Sequence, residues 1–262
     1  MKKLIYQVYT GKRKKLYDFC TASVKKYADR IGADYVVQRT PILRIKPDVF
    51  QTNRSTESYM KYGGFLPIYE KENAFAYFRS YDKIALIDGD IFIRDSAPDI
   101  FDEINDDIDF AGVVEREMPL NNKYVQKITN YSRMQYGNIR NVDWKWNNRG
   151  AEFYNMGMML MNKSMGKYLN GETPAQFLNR PRFKPFIDGL GPWKWSTDQT
   201  LLNTWVKEEK MRTKNLDWKW NGLYNAVPND KLHEAHFIHF FHKTVLPMEG
   251  ENIEELAKLV GI

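Results

Sequence analysis

Two carboxylates one residue apart, Asp88 and Asp90, close an apolar run in the stretch Tyr81–Ile93 (YDKIALIDGDIFI). Buried strands of α/β sheets read as continuous apolar segments like Ile84–Ile87, and ligands bind where such strands end. Acids held this close repel one another unless a cation lies between them, so a divalent metal is the natural occupant. Gly89 adds no side chain and leaves room for a phosphate to approach the backbone. The stretch predicts metal-bound phosphate chemistry.

The bland alternative is that the two acids are polar residues capping a strand. A phosphatase of the haloacid-dehalogenase type also places Asp-x-Asp after an apolar strand. It wants a small hydroxyl residue soon after the pair and a motif near the N-terminus. Here Ile91 and Phe92 follow, at mid-chain.

Other chemistry-bearing residues lie downstream. All four histidines fall between 233 and 242: His233, His236, His239 and His242. Imidazole is a common metal ligand. On a strand, however, His239 points away from His236 and His242, so joint ligation by all four needs a geometry that a strand does not offer. One is expected to bind metal, with His239 the candidate, and the others to be structural. In Phe153–Met161, Asn155 and Gly157 interrupt an apolar strand; a close ligand or a simple bulge explains that equally well. Ser196 or Thr197 caps a helix whose first turn holds Asp198 and Gln199, a pattern that needs no function by itself.

The elements that must position these groups follow a β-α-β opening: a strand over Leu4–Tyr9, an amphipathic helix from about 14 to 31 stopped by Gly32, and a strand over Asp34–Gln38. Residues 40–65 are loop-rich. A helix over 67–80 leads into the acidic strand, and Ile108–Val114 and Glu152–Met161 read as further strands. Residues 116–150 are polar and aromatic without a clean period, and read as an insertion on the binding face. A helix over Thr197–Val206, a strand over Ala235–Phe241 and a terminal helix over Glu251–Val260 complete the chain. Trp-Lys-Trp recurs at 144–146, 193–195 and 218–220 without a fixed period.

At 262 residues with no linker-like break, one domain is expected. The net charge of +6 suits an anionic partner such as a nucleotide diphosphate, an acidic glycan or an anionic membrane surface. The only dense basic run is Lys12–Lys15, a solvated helix start, which argues against nucleic acid. The single Cys20 lies on an apolar stripe and permits no internal disulfide, so a reducing compartment is expected. No segment reaches transmembrane length, which places the protein in the cytoplasm, at most peripheral to a membrane.

In their order along the chain, YDKIALIDGDIFI, FYNMGMMLMN, STDQTLLN, WKWNGLYN and HFIHFFHK make this sequence resemble the GT-A glycosyltransferases, in particular the glycogenin and galactosyltransferase-like members of glycosyltransferase family 8. The resemblance spans nearly the whole chain. It implies an α/β GT-A (Rossmann-like) fold with a mostly parallel central sheet flanked by helices, in a single domain, with 116–150 as an acceptor-side insertion. It implies a nucleotide-sugar donor, in the first place a UDP-sugar, with Mn²⁺ or Mg²⁺ and a glycan or other hydroxyl acceptor. Asp88, Asp90 and His239 match the metal ligands, with Asp88 also near the donor ribose. Tyr9 and Thr10 fall where the base is gripped, Lys243 falls where a lysine meets the diphosphate, and Lys71 matches the basic residue of the preceding helix; Gly89 joins them among the donor-binding residues. Asn155 and Asp198 match residues that hold the donor sugar, and Gln199 the amide beneath the anomeric carbon. Asn221 matches a Trp-Asn pair on the acceptor side. Two departures stand out: Phe240, Phe241 and His242 replace the family's glycine before the lysine, and Thr244-Val245 replaces its Pro-Trp.

Transfer with retention of configuration, in the synthesis of surface polysaccharide or lipid-linked glycan, is what the resemblance favours. Trp144, Trp146, Trp218 and Trp220 offer faces for an acceptor, with core packing expected for at least half of them. Two other readings stay open: a sugar-nucleotide nucleotidyltransferase, although the loop after the first strand lacks that class's glycines, and a catalytically inactive nucleotide-sugar-binding module.

Overall fold

Alternating side chains on two neighbouring strands set the layers of this protein. The structure, a computed structural model, describes residues 1–49 and 52–262. In β1 (Lys3–Val8), Leu4 and Tyr6 enter one apolar cluster and Ile5 enters another. In β3 (Lys83–Asp88), Ile84 and Leu86 join the first cluster, while Ala85 and Ile87 join the second. Both faces of the sheet are therefore covered, as its continuous apolar strands require. Tyr69, Phe75 and Phe78 cover one face, and Val24, Tyr27 and Ala28 of α1 (Lys15–Arg30) cover the other.

The β-α-β opening is as expected: β1 pairs in parallel with β2 (Asp34–Gln38) and with β3. The remaining elements, in chain order, are α2 (Asn53–Tyr62), β4 (Ile91–Ile93), β5 (Phe110–Val114), α3 (Asn122–Gln135) and β6 (Tyr154–Asn162). Two short helices follow, α4 (Pro174–Leu178) and α5 (Lys184–Asp188), then α6 (Asp198–Glu208), β7 (Thr213–Asn215) and β8 (Gly222–Leu223). The chain closes with α7 (Asn229–Leu232), β9 (Phe237–His239) and α8 (Ile253–Val260). The central sheet runs β2-β1-β3-β6-β5-β7, and only β6 runs against the others. A second small sheet runs β4-β9-β8.

Several expectations need correction. The loop-rich 40–65 stretch contains α2; its residues 50 and 51 lie outside the described ones. The helix expected over 67–80 is a run of 3-10 turns, Pro67–Arg79, whose side chains are buried on several sides. Within it Glu70 is buried and accepts the backbone N–H groups of Ile42, Leu43 and Arg44 at 2.6–3.0 Å, fixing the preceding loop. The strand expected over Ala235–Phe241 shrinks to β9. Residues 116–150 carry α3, and Ile128, Tyr136 and Trp144 form a small core with Ala151 and Phe153. The Trp-Lys-Trp echoes share no common fate: Trp144 and Trp220 are buried, whereas Trp146 and Trp195 are about half exposed.

Asp109, fully buried just before β5, ties three segments together. It accepts from Arg212 through the main chain and the guanidinium, from Ser164 Oγ and from Tyr168 Oη, all at 2.6–3.1 Å. Burial opposes its charge, but the donors, Arg212 foremost, outweigh burial and hold its carboxyl well below the usual range. A depressed carboxylate stabilises the fold above its ordinary pKa and loses that contribution as pH falls towards the folded value. Asp109→Asn is expected to lower stability at pH 7 by about 2–3 kcal/mol. The gap should narrow as pH drops below about 4, which denaturant melts of both proteins at pH 7 and pH 3 would measure.

Candidate active site

Asp88 ends β3 opposite Val8, and Gln7 Nε2 donates to its carbonyl at 3.1 Å. After the turn at Gly89, the Asp90 carbonyl accepts from Phe240 N–H at 2.9 Å, and antiparallel pairing of β4 with β9 sets Ile91 opposite His239. Two sheets therefore deliver three ligand-type groups to one point. His239 Nε2 lies 3.4 Å from Asp90 Oδ1 and 3.9 Å from Asp88 Oδ2, and one ligand atom of each residue lies within 4.8 Å of the others. The other histidines stay outside the cluster: His236 packs its ring 4.9 Å from Trp220, and His242 Nδ1 meets Thr244 Oγ1 at 3.0 Å. At 4.8 Å two carboxylates repel by about 3 kcal/mol at an effective dielectric near 20.

Gly89 is needed for a reason other than phosphate access. A Cβ there would sit 2.9 Å from the Val8 carbonyl oxygen and 3.1 Å from the Tyr17 ring, so the turn is pressed against its own backbone.

Lys71 partly offsets the crowded charge. Its Nζ reaches Asp88 Oδ1 at 3.0 Å, Asp198 Oδ2 at 2.8 Å and the Met156 carbonyl at 2.8 Å. The contacts to Asp88 and Met156 are hydrogen bonds, and the approach to Asp198 is an ion pair. Burial raises the Asp88 pKa, with Lys71 and His239 opposing and the Asp90 charge adding to the rise. Burial also works against the Asp90 carboxylate, but the His239 hydrogen bond and charge, with Lys243, bring its pKa below the ordinary value.

The strand bearing Asn155 and Gly157 is both bulged and crowded. Register between β5 and β6 jumps from Gly112–Met159 to Val113–Asn155, which releases Met156–Met158 from the ladder. Side chains take up the released groups: Met156 N–H donates to Gln199 Oε1 at 3.2 Å, and Gly157 N–H donates to Asn155 Oδ1 at 3.0 Å. Asn203, one turn after Gln199 on α6, bonds both backbone groups of Tyr154 at 2.7–2.8 Å. Thr197 caps α6 by accepting from Gln199 N–H.

These bonds also fix the histidine tautomer. Gly157 N–H can only donate, so the oxygen of Asn155 faces it, and Asn155 Nδ2 donates to Glu115 Oε2 at 2.9 Å. The same oxygen accepts from Asn221 Nδ2 at 2.8 Å, which turns Asn221 Oδ1 towards His239 Nδ1 at 3.1 Å. Nδ1 must then carry a proton, so that whenever the ring is neutral its Nε2 lone pair faces the two acids. Two carboxylates and an imidazole presented in this way suit a divalent ion such as Mn²⁺.

Two cavities meet at the acids. One, about 330 Å³, is lined by Asn155, Gln199, His239, Tyr124 and Tyr131. The other, about 750 Å³, is lined by Tyr9, Thr10, Gly89 and four lysines (Lys12, Lys14, Lys61 and Lys243) beyond the shared ones. Lys71, Asp88, Asp90 and Asp198 line both. The Tyr9 ring is already in contact, stacked on Tyr17 at 4.8 Å with the Arg39 guanidinium 4.4 Å from its centroid. Lys243 Nζ bonds the Tyr17 hydroxyl, and burial lowers its pKa while the Asp90 charge opposes.

No family model and no curated protein matches this chain by sequence. Solved structures do match it. A glycosyltransferase involved in the glycosylation of the major capsid of PBCV-1 is similar over 98% of this chain and all of its own, with a TM-score of 0.55 and 13% identity. The galactosyltransferase LgtC, in complex with donor and acceptor sugar analogues, is similar over 98% of this chain and 95% of its own, with a TM-score of 0.56 and 13% identity. The bifunctional glycosyltransferase WbbM matches at 0.52 and 13% identity, this chain spanning half of it. This is the GT-A glycosyltransferase fold.

Within that fold Tyr9, Thr10, Lys71, Asp88, Gly89, Asp90, Asn155, Asp198, Gln199, His239 and Lys243 all line the two cavities that meet at the acids. Asn221 is fully buried behind His239 and meets the cleft only through its bonds to His239 and Asn155. Glu115 and Tyr124, joined at 2.9 Å and lining the cleft, carried no sequence signal beyond their residue types.

A Cβ on Gly157 would lie 2.2 Å from His239 Cε1 and 2.6 Å from Nδ1. Gly157→Ala must therefore push the imidazole aside, and Asn221→Ala removes the acceptor that fixes its tautomer. Each is expected to weaken Mn²⁺ binding about 10–100-fold in a calorimetric titration. In the unaltered protein, affinity should fall on acidification beginning above the ordinary carboxylate range, since burial raises Asp88.

Proposed function

We propose that this chain is a metal-dependent glycosyltransferase that moves a hexose from a nucleotide-diphosphate sugar, a UDP-sugar, to a hydroxyl of a glycan acceptor, with retention of configuration. The observation that carries the proposal is the Asp88–Asp90–His239 group at the junction of two cavities on this fold. We read the chain as one catalytic domain, acting in the cytoplasm on polysaccharide or lipid-linked glycan. Among the described residues no helix is long and apolar enough to cross a membrane.

A divalent cation held by Asp88, Asp90 and His239 supplies positive charge to the departing diphosphate. The chain's own residues divide the remaining work. Lys243, with Lys12 and Lys14 on the same cavity wall, offers ammonium groups to the phosphates, and Tyr9 and Thr10 at the end of β1 border the base. Asp198, ion-paired to Lys71, accepts from donor-sugar hydroxyls. That pairing makes it a poor nucleophile, so the acceptor attacks on the leaving-group face without a covalent enzyme intermediate. Asn155 retains one amide N–H for the sugar, its oxygen being occupied. Gln199 is held under the reacting carbon by Met156 N–H. Tyr124, Tyr131 and Phe241 form the acceptor side.

Asp90→Asn and His239→Ala are each expected to reduce UDP release from a UDP-sugar in Mn²⁺ by about a thousandfold, with the thermal midpoint kept within a few degrees. Undiminished release by both variants would refute the metal assignment. Pyrophosphate production from a nucleoside triphosphate would instead point to a nucleotidyltransferase.

A further inference from the structure

A second groove, about 670 Å³, adjoins the cleft along α3. It shares Tyr124, Lys127 and Phe241 with the cavity holding His239, and shares no lining residue with the cavity holding Tyr9 and Lys243. It therefore reaches the proposed reaction centre by way of the cavity holding His239 and not through the nucleotide cavity.

The chemistry of its lining is one-sided. Lys123 and Lys127, one helical turn apart, both line the groove, and no carboxylate does. Among the described residues neither lysine makes an ion pair; Lys127 instead lies over the Tyr124 ring at 5.5 Å. Like charges at this spacing destabilise a helix by a few tenths of a kcal/mol. Lys123 also sits in a first turn that contains no acid, where the helix dipole disfavours a cation. Neither cation has an ion-pair partner in the groove, although Lys127 also interacts electrostatically with Glu115 in the adjoining cavity.

Beside them, Phe241 packs its ring 5.8 Å from both Tyr124 and His239, forming an aromatic step from the metal ligand into the groove. Aromatic faces suit the apolar faces of sugar rings, and the amides of Gln126, Asn130 and Asn225 supply donors and acceptors for hydroxyls.

We propose that this groove is the acceptor subsite and selects an oligosaccharide bearing a negative charge, carboxylate or phosphate, beyond the sugar residue that reacts. The proposal rests on the transferase reading and adds to it the class of acceptor.

The test compares three trisaccharide acceptors differing only in one residue: neutral, uronate-bearing and phosphorylated, each with UDP-sugar and Mn²⁺. At least one charged acceptor is expected to show kcat/KM about tenfold above the neutral one, mainly through KM, with the advantage shrinking in high salt. The carboxylate and phosphate arms identify which anion is read. The double variant Lys123→Gln/Lys127→Gln should bring that ratio close to one, and Lys123→Arg/Lys127→Arg should retain it. Equal use of neutral and charged acceptors, or a preference that survives in the double Gln variant, overturns the proposal. UDP release by the unaltered protein without acceptor tests the transferase reading separately. If that release is absent, calorimetric titration with the same trisaccharides decides the groove: tighter binding of a charged one, lost in the Gln variant, supports it, and no difference refutes it.

Discussion

Crowded negative charge at the end of β3 is the constraint that the rest of the site answers. Two carboxylates and an imidazole converge within 4.8 Å, in a place where their side chains are mostly shielded from water. Unrelieved, such a cluster would raise the pKa of one acid until it took up a proton. Lys71 opposes this from one side by reaching Asp88 and Asp198 together, and His239 and Lys243 act from the other, lowering Asp90 while Asp88 stays raised by burial. The arrangement leaves a three-sided cage whose remaining direction opens to both cavities, which is where a cation would meet its ligand phosphates.

Positioning that cage depends on backbone that has left the sheet. The bulge at Met156–Met158 takes three residues out of the β5–β6 ladder, and three of their backbone groups meet site residues: Met156 N–H meets Gln199, the Met156 carbonyl meets Lys71 and Gly157 N–H meets Asn155. A regular strand would have bonded Gly157 N–H to its neighbour. Released, it sets the orientation of Asn155, then Asn221, then the imidazole. Fold and site are thus joined by a short series of directional bonds, each of which has one consistent orientation once the first donor is known.

The sequence made the strand ending in Asp88 and Asp90 legible, because an apolar run followed by acids has few structural explanations. It also made α1 and the cap of α6 legible, since an apolar stripe and a hydroxyl before an acid are local patterns. Long-range relations were not legible. Gly89 looked like room for a ligand and does line the open cavity, but its need to accommodate Val8, more than eighty residues earlier in the chain, was hidden. Asn221 and Glu115 are ordinary polar residue types whose meaning comes from facing Asn155 in the folded core. The 3-10 run at Pro67–Arg79 was read as a helix because its apolar residues recur often, but burial on several sides removes the single stripe that periodicity detects. In 116–150 the aromatic residues that blurred the period are the ones that pack against one another.

The two lysines near the acids have different capacities, and this bears on the departures after His239. Lys71 is buried, hydrogen-bonded to Asp88 and Met156 and ion-paired to Asp198, so its charge is engaged by the site's own acids. Lys243 bonds Tyr17 and lines the open cavity, and burial disfavours its charge until an anion arrives. On the transferase reading, Lys243 therefore meets the diphosphate, and loss of the glycine before it changes the path of the loop more than the charge delivered. Tyr17 is the hinge of that conclusion: its ring stacks on Tyr9 and closes over Gly89, so the lysine, the first strand and the acidic turn are held by one side chain.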